Sequence, residues 1–211
     1  MLGFPIALFV ANGFEWYAHK HWLHEHSAKH RASPLFTHIR HHKLCRTQGF
    51  YDANYLEPML DNQEVFIEKS LLIGLAAATT VVLPVAPFFT LGSWYSAWNY
   101  WSVHSKSHLD PDYAKSRIPW HYDHHMNANQ DANWCVTRPW FDYIMGTRVV
   151  SDADSAETNT LGVRLPALVE KPLNQLERRL LRKSYARMHE RARIDASQRR
   201  KGVALVVAGV A

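Results

Sequence analysis

Histidine is the residue type in this sequence that is best suited to chemistry. The chain contains 14 histidines among 211 residues, and 13 of them precede residue 126. Ten of these form four regularly spaced clusters, which are His19 and His24; His38, His41 and His42; His104 and His108; and His121, His124 and His125. Neutral imidazole is the commonest side-chain metal ligand, and ten ligands exceed the number that one tetrahedral zinc ion takes. The pattern predicts two ions with four or five nitrogens each, and imidazole suits iron, copper, zinc or nickel.

The spacing within the clusters predicts which rings share a helix face. Residues three and four apart lie on one face of an α-helix, so the second, third and fourth clusters are each expected to point to one side. His19 and His24 are five apart, which is about 140° around an α-helix. We expect these two to flank one site or to serve two ions. The histidines outside the clusters are expected at the surface or an interface; they are His21, His26, His30 and His189.

An uncharged stretch in the middle of the chain predicts a helical hairpin. Residues 70–103 contain no Asp, Glu, Lys or Arg. One straight helix of that length would be about 51 Å long, against about 30 Å for the hydrocarbon core of a bilayer. Pro84 and Pro87 fall near the centre, where proline breaks a helix, so we expect helices over 63–83 and 88–108. The uncharged first 14 residues predict a further membrane helix. The expected fold class is therefore all-α, an integral membrane helical bundle.

The histidine clusters are expected on one side of the membrane. A first helix that leads to His19 and a hairpin that crosses and returns to His104 deliver both to the same face. Six Lys or Arg residues lie between Lys20 and Arg46, and positive loops stay in the cytoplasm. We therefore expect a histidine-rich cap that faces the cytosol. The alternative is a soluble helical protein with a buried hairpin, in line with a mean hydropathy of −0.30.

Charge divides the chain into an acidic body and a basic end. Residues 170–201 carry a net charge of +7 and the rest of the chain carries −2, so the body gives no support for nucleic-acid binding. The expected organisation is a membrane-embedded histidine-box domain, a linker, a basic amphipathic helix and an apolar tail over 1–150, 151–172, 173–201 and 202–211. The basic helix is expected either to lie on anionic lipid or to dock on the body through an apolar stripe that includes Leu176 and Leu180. Cys45 and Cys135 are too few for a disulfide scaffold.

The order of the histidine clusters resembles a known family. The series H-x4-H, H-x2-H-H, H-x3-H and H-x2-H-H, with a hydrophobic hairpin between the second and third, is similar to the fatty acid hydroxylase/sterol desaturase superfamily of integral membrane di-iron oxygenases. Glu15 lies four residues before His19, like an acidic residue of that family. Residues 133–147 (NWCVTRPWFDYIMGT) resemble its closing N-x-G-V-T and W-D-x-x-x-G-T stretches, with Cys135 in place of the usual glycine. The resemblance covers about residues 10–148.

This resemblance implies a function. The ten clustered histidines would be the ligands and catalytic residues of a centre of two iron ions, and zinc could substitute in purified protein. The substrate would be a lipid, such as a fatty acyl, sterol-like or carotenoid molecule, that is hydroxylated or desaturated with O2. Electrons would come from a separate cytochrome b5-like or ferredoxin partner, since the sequence has no G-x-G-x-x-G fingerprint. Only 18 residues precede His19, so the substrate tunnel is expected to be small or to be completed by another subunit of an oligomer.

Several polar and aromatic residues near the clusters have two interpretations. Glu15 and Asp123 are candidates for hydrogen bonds to imidazole N–H groups, or form ordinary ion pairs. Asn129 and Asn133 have the same role or cap turns. An aromatic set either lines a substrate channel or forms an interfacial belt; it consists of Trp94, Tyr95, Trp98, Tyr100 and Trp101.

Two other classes of function compete with the oxygenase. The first is a histidine-rich metal-binding or metal-transport membrane protein without oxygenase activity, which predicts acidic or Met-rich residues in the hairpin. Residues 70–103 contain none. The second is a zinc hydrolase, which needs a general base such as the Glu of His-Glu-x-x-His. That pattern is absent from the sequence.

Overall fold

The structure is a computed structural model that describes residues 1–150, 159–163 and 165–209, with side chains to residue 202. Every regular element in these ranges is helical, which confirms the predicted all-α class. The α-helices are α1 (Gly3–Tyr17), α2 (Ser27–Lys29), α3 (Thr37–Thr47), α4 (Gln63–Thr80), α5 (Pro87–Leu109), α6 (Pro111–Arg117), α7 (Pro119–Met126), α8 (Trp140–Met145), α9 (Ala167–Leu180) and α10 (Arg182–Gly209). A π-helix (Ala18–His26) continues α1, and 3-10 helices (Pro34–Phe36 and Ala53–Leu56) precede α3 and α4.

The predicted hairpin is confirmed as α4 and α5. The Asn62 side chain caps α4 by accepting hydrogen bonds from the backbone N–H groups of Glu64 and Val65 at 2.9 and 3.2 Å, as expected of a residue at this position. Pro87 begins α5, where its missing N–H costs no helical hydrogen bond. α4 ends at Thr80, three residues earlier than predicted, because the chain turns through a series of short-range hydrogen bonds before α5.

Helices α1, α4 and α5 form one layer with α5 in the middle. Gly92 permits close approach of α1, since a Cβ at this position would lie 2.7 Å from the Cβ of Ala7. On the other side, Trp94 Nε1 of α5 donates to the Ala76 carbonyl of α4 at 3.0 Å. Among the helices of the described residues, none combines the length and the apolar character needed to cross a bilayer.

The shorter helices form a cap at one end of this layer. The cap includes α3, α6, α7 and the π-helix, and it receives the C-terminal ends of α1 and α5. Its hydrophobic core contains large aromatic side chains together with small ones; the buried members are Trp16, Phe50, Ala114, Ile118, Trp120, Trp134 and Cys135. The histidine clusters therefore lie at the junction of the layer and the cap.

The basic C-terminal segment folds as two helices that dock on the body. The helix predicted from residue 173 begins at Ala167, and α10 follows α9 directly. Ser184 Oγ of α10 donates to the Ile144 carbonyl at 2.5 Å, and Asp195 Oδ1 accepts from the Asn129 N–H at 2.8 Å. Helix α10 therefore docks through polar side chains, whereas Leu176 and Leu180 of the expected leucine stripe are 52% and 73% exposed. Contact of the basic helix with anionic lipid stays a prediction. Part of the predicted linker, residues 151–158 and 164, lies outside the described residues, as do the side chains of the predicted tail from residue 203.

Two glycines provide a matched test of this docking. Gly146 ends α8 in a left-handed conformation, with φ +70°, and a Cβ there would lie 2.6 Å from the Ser184 carbonyl oxygen of α10. Gly146→Ala is expected to lower the free energy of unfolding by about 1–3 kcal/mol. Gly49→Ala is the control, because Gly49 has nearly the same left-handed conformation, with φ +64°, and a Cβ there meets nothing within 4 Å; it is expected to lower the free energy of unfolding only by the conformational cost of about 1 kcal/mol. Denaturant unfolding followed by circular dichroism measures both, and equal effects would contradict the docking.

Candidate metal centre

The structure brings all ten clustered histidines together in two adjoining groups of five. We call the first group site A; it consists of His19, His24, His38, His42 and His124. One ring nitrogen from each lies within 4.8 Å of the others. We call the second group site B; it consists of His41, His104, His108, His121 and His125. The last four of these meet the same distance limit, and His41 Nε2 lies 3.1 Å from His108 Nε2. The two sites touch where the rings of His42 and His125 stack with centroids 3.9 Å apart.

A π-helix explains why His19 and His24 share site A. The expectation of 140° between them assumed an α-helix and was wrong, because residues 18–26 form a π-helix. A π-helix has hydrogen bonds from i to i+5, so residues five apart lie above one another. The two rings are accordingly 5.1 Å apart. Departures from α-helical to π-helical geometry occur frequently at functional sites.

The two H-x-x-H-H clusters do not each serve one site. In α3, His38 and His42 belong to site A and His41 belongs to site B. In α7, His124 belongs to site A and its neighbour His125 to site B. Adjacent residues are about 100° apart around a helix, so neighbouring histidines reach two adjoining sites. The rings of each cluster do lie on one face of their helix, as expected, and that face meets both sites.

Backbone carbonyls orient two rings of site A. His19 Nδ1 lies 2.6 Å from the Trp134 carbonyl oxygen, and His124 Nδ1 lies 2.8 Å from that of Ala132. A carbonyl oxygen only accepts hydrogen bonds, so each Nδ1 carries the proton and each Nε2 presents a lone pair. His19 Nε2 lies 2.9 Å from His38 Nε2. The lone pairs of site A are thus directed at neighbouring ring nitrogens.

Carboxylates orient two rings of site B. His41 Nδ1 lies 2.7 Å from Asp52 Oδ2 and 3.0 Å from Glu64 Oε1. His104 Nδ1 lies 2.6 Å from Glu68 Oε1, and the Tyr55 hydroxyl donates to the other oxygen of that carboxylate at 2.9 Å. Such partners fix the ring orientation and raise the basicity of a ligating imidazole.

Sequence reasoning missed these four partners of site B. Glu64 and Glu68 are four residues apart in the first turns of an otherwise apolar helix, so they share a face. That spacing could have predicted their role, because two carboxylates on one face of α4, at the end of the hairpin next to the cap, lie close to the histidines. Asp52 and Tyr55 lie in the connection between α3 and α4, and their positions follow from the tertiary fold alone.

The donor set fits a metal ion in each site. His104 donates through Nδ1 to Glu68, so its Nε2 presents a lone pair. That Nε2 is buried and has no hydrogen-bond partner among the described residues, and the same holds for both ring nitrogens of His125. A buried acceptor without a donor is costly. A cation at the centre of each site would satisfy the converging nitrogens.

Burial keeps most of these imidazoles neutral. Desolvation, aided by the neighbouring histidines, lowers the pKa of His19, His38 and His42 well below the usual value, and burial lowers the pKa of His124 to about 4. Neutral imidazole is the form that binds metal, so little proton release is needed at pH 7.

His41 differs from the other rings in its electrostatic surroundings. Burial alone would lower its pKa, but Cys45, Asp52 and Glu64 together raise it well above the usual value. The negative charge at Nδ1 favours a cation at Nε2. A metal ion bound at Nε2 would compete with a proton for the same atom.

The closing segment, residues 132–147, contains the two carbonyls that face site A, those of Ala132 and Trp134. Asp142 accepts hydrogen bonds from the backbone N–H groups of Trp134 and Cys135 at 2.8 and 2.9 Å. Cys135 does not have a positive φ, so a residue with a side chain is unstrained at this position. The Cys135 side chain is fully buried, as expected for an inert thiol.

The expected polar partners have other roles. Glu15 accepts hydrogen bonds from the Thr137 backbone N–H and hydroxyl, both at 2.8 Å, and so ties α1 to the closing segment. Asp123 pairs with Arg148 Nη1 at 2.8 Å. Asn133 adopts a left-handed conformation with φ +61°, and its side chain donates to the Val149 carbonyl at 3.0 Å. These residues stabilise the loops that position the histidines.

The remaining histidines lie outside both sites, as predicted. His21 Nδ1 is 2.8 Å from Glu25 at the surface. The rings of His26 and His30 stack at 4.2 Å, and both residues are exposed. His189 is exposed on α10.

An apolar cavity of about 640 Å³ reaches both sites from the helical layer. It runs between α1, α4 and α5, and its inner end includes His19 and His38 of site A and His104 of site B. Its walls are mainly aliphatic and aromatic; among them are Leu8, Val10, Phe14, Leu71, Leu72, Leu75, Ala76 and Phe89. Tyr95 and Tyr100 of the aromatic set also line it. Ligand sites are typically apolar clefts of this size with a few polar groups.

The hydrogen bond from His104 to Glu68 provides a test of site B. Glu68→Gln is expected to weaken metal binding at site B about 10–100-fold, because it removes the negative partner of His104 Nδ1. Glu57→Gln is the control, since Glu57 is exposed on the loop before α4. Competition with a chromophoric chelator measures the affinity of each ion. A loss of affinity in both variants alike would contradict this role.

Comparisons with known proteins give no family assignment. No protein-family model, curated protein or solved structure matches the chain. The assignment of two metal sites therefore depends on the buried histidine groups, and their metal and their chemistry are matters of proposal.

Proposed function

We propose that the protein is a membrane di-iron oxygenase that hydroxylates or desaturates an aliphatic C–H bond of a lipid. The observation that carries this proposal is the junction of two five-histidine sites with one apolar cavity. Histidines from both sites line the inner end of that cavity. A substrate that fills the cavity would therefore present a carbon atom directly to the metal sites.

The apolar walls of the cavity favour a substrate whose reacting carbon carries no polar group. An aliphatic C–H bond has no acidic proton that a side chain could remove. Bound iron would supply the oxidising chemistry with O2, while the protein supplies binding and orientation. Site A and site B would hold one ion each. The apolar walls of the cavity would exclude water and align the chain.

The reaction needs a source of electrons outside the chain. For hydroxylation, one oxygen atom of O2 enters the C–H bond and the other leaves as water, which consumes two electrons and two protons. We propose a separate donor protein of the cytochrome b5-like or ferredoxin type, since the sequence carries no dinucleotide-binding fingerprint. The Lys and Arg residues of the cap would favour an acidic donor.

The proposed location is a membrane, with the metal sites on the cytosolic side. The support is the separation of apolar and charged residues along the helices. The hairpin is uncharged from residue 70 to residue 103, and the histidines lie at its other end, where it meets the charged cap. A lipid substrate would reach the cavity from the membrane, and a soluble donor would reach the cap from the cytosol.

Metal analysis combined with turnover tests the proposal. The protein is extracted in detergent without chelator or added metal, and elemental mass spectrometry gives the metal content per chain. Two irons, together with an oxidised lipid whose new oxygen comes from ¹⁸O2, are the expected result. Two zincs would be replaced by iron before the turnover assay. Two bound ions with no lipid oxidation by the iron-loaded protein and a reductase system would favour the metal-binding or metal-transport alternative.

A further inference from the structure

We propose that the α4–α5 hairpin and α1 enter the bilayer from the side of the cap and that the hairpin ends inside it without crossing. This placement rests on the membrane location proposed above. The surface concerned, which we call the apolar tip, is the hairpin turn at residues 81–86 with the adjoining ends of α1 and α5. Its occupant is the acyl-chain region of a phospholipid bilayer.

The apolar tip exposes large hydrophobic side chains. Val81 is 81% exposed and Val85 is 84% exposed. The start of α1 lies at the same level, because a Cβ at Gly3 would be 2.9 Å from the Phe89 backbone nitrogen. Contiguous apolar surfaces of this kind mark sites of association in soluble surroundings and lipid contacts in membranes.

Exposed apolar residues also surround the layer below the tip. They lie on the outer faces of all three helices, away from the cavity: Ile6 and Phe9 on α1, Ile73 on α4, and Leu91 and Trp98 on α5. A second copy of the chain would cover one face of such a layer. Lipid chains surround it on several sides, so the distribution favours lipid over a dimer partner.

The depth of the hairpin follows from where charge returns. Lys69 Nζ lies 4.2 Å from the centre of the Trp101 ring, so these two residues are at the same level on α4 and α5. Lysine and tryptophan are typical of the membrane–water interface. From Pro87 to Trp101 a helix rises about 21 Å, whereas the hydrocarbon core is about 30 Å thick. The tip therefore passes the middle of the bilayer and stops short of the opposite interface.

The charge of the cap suits this placement. The six Lys and Arg residues between Lys20 and Arg46 belong to the cap, and basic residues near a membrane surface are attracted to anionic headgroups. The cavity wall formed by Leu75, Thr79 and Phe89 would then lie among the acyl chains. A lipid could enter the cavity sideways, without leaving the bilayer.

Two equally exposed apolar residues allow a direct test. Val85 in the tip and Leu60 in the loop before α4 are both 84% exposed. Val85→Cys and Leu60→Cys are labelled with the fluorophore NBD in the full chain, whose native Cys45 and Cys135 are fully buried. Val81→Cys serves as a second reporter of the tip. The labelled proteins are reconstituted into phosphatidylcholine/phosphatidylglycerol vesicles.

The expected results separate three placements. In the proposed one, nitroxides deep in the acyl chains quench NBD at Val85 and Val81 several-fold more than at Leu60, and dithionite on either side of the vesicle reduces only the Leu60 label. Reduction of the Val85 label by dithionite from the side opposite Leu60 would show a crossing hairpin and overturn the placement, while the membrane location would stand. Failure of the unlabelled chain to float with vesicles would overturn both. None of these readouts depends on metal or turnover.

Discussion

Replacing His42 by alanine is expected to reduce the metal content from two ions per chain to one and to lower turnover to the background level. His42 is buried in site A, where its Nε2 lies 3.1 and 3.2 Å from those of His38 and His24. Removing it takes away one of five converging ligands and opens a cavity beside His125, on which it stacks. His121→Ala should have the same effect at site B, because its Nε2 lies 3.1 Å from His108 Nε2.

The matched control for both variants is His21→Ala. His21 is in the same π-helix as His19 and His24, but its ring pairs with Glu25 at the surface. This variant should keep two ions and full turnover. Elemental mass spectrometry gives the stoichiometry, and circular dichroism shows whether each variant remains helical. Retained turnover in His42→Ala or His121→Ala would remove the two-metal interpretation, and loss of an ion in His21→Ala would show that the ligand set was wrongly chosen.

The sequence allowed the ligand set to be proposed because histidine clusters are local patterns. The second, third and fourth clusters lie on α-helices, where spacings of three and four bring rings to one face. The structure adds the distribution of the rings over two sites, which depends on how α3 and α7 cross. The angle between His19 and His24 was wrong for a backbone reason: the spacing was converted with α-helical geometry, and residues 18–26 form a π-helix.

The partners that orient the imidazoles were harder to predict. Phe50 offers its carbonyl to His108 Nδ1 at 3.0 Å from a left-handed conformation, with φ +83°. A bulky residue rarely adopts that conformation, so no propensity rule would have selected Phe50. Asp52 is 11 residues from His41 in the chain, and an acidic residue at that distance carries no spacing signal. The partners that orient the rings thus depend on an unusual backbone conformation and on long-range contacts, and local sequence patterns predict neither.

For the hairpin, by contrast, local sequence patterns were sufficient to predict the helices. Its two helices follow from an uncharged run interrupted by proline, and both were predicted to within a few residues. How deeply it enters a membrane does not follow from hydropathy alone, because its two arms differ in uncharged length. Measured from the turn, α4 is free of charge back to Lys69, whereas α5 is free of charge to residue 105. The shorter arm limits how far such a hairpin can enter apolar surroundings. The depth of insertion is therefore estimated from the shorter of the two packed helices, and not from either helix alone.

Filling the apolar cavity is expected to change the reaction without disturbing the metal sites. Ala76 of α4 lines the cavity eight residues after Glu68, the partner of His104, which is about 12 Å along the helix. Its neighbour Ala77 is exposed and does not line the cavity. Ala76→Phe should lower kcat/KM for a long-chain lipid at least about tenfold, which corresponds to about 1.4 kcal/mol of lost transition-state binding. A substrate several methylene groups shorter should lose much less, because its chain ends before the new ring.

Ala77→Phe makes the same chemical change at a position that faces away from the cavity. Both variants carry the same small loss of helix propensity, so a difference between them reports on the cavity alone. Metal content should stay at two ions per chain in both, since neither residue belongs to site A or site B. If Ala76→Phe and Ala77→Phe have equal effects, the cavity is not the substrate site. If Ala76→Phe affects all chain lengths equally, the lipid does not extend along α4, and the depth of the cavity does not set the length of chain that is oxidised.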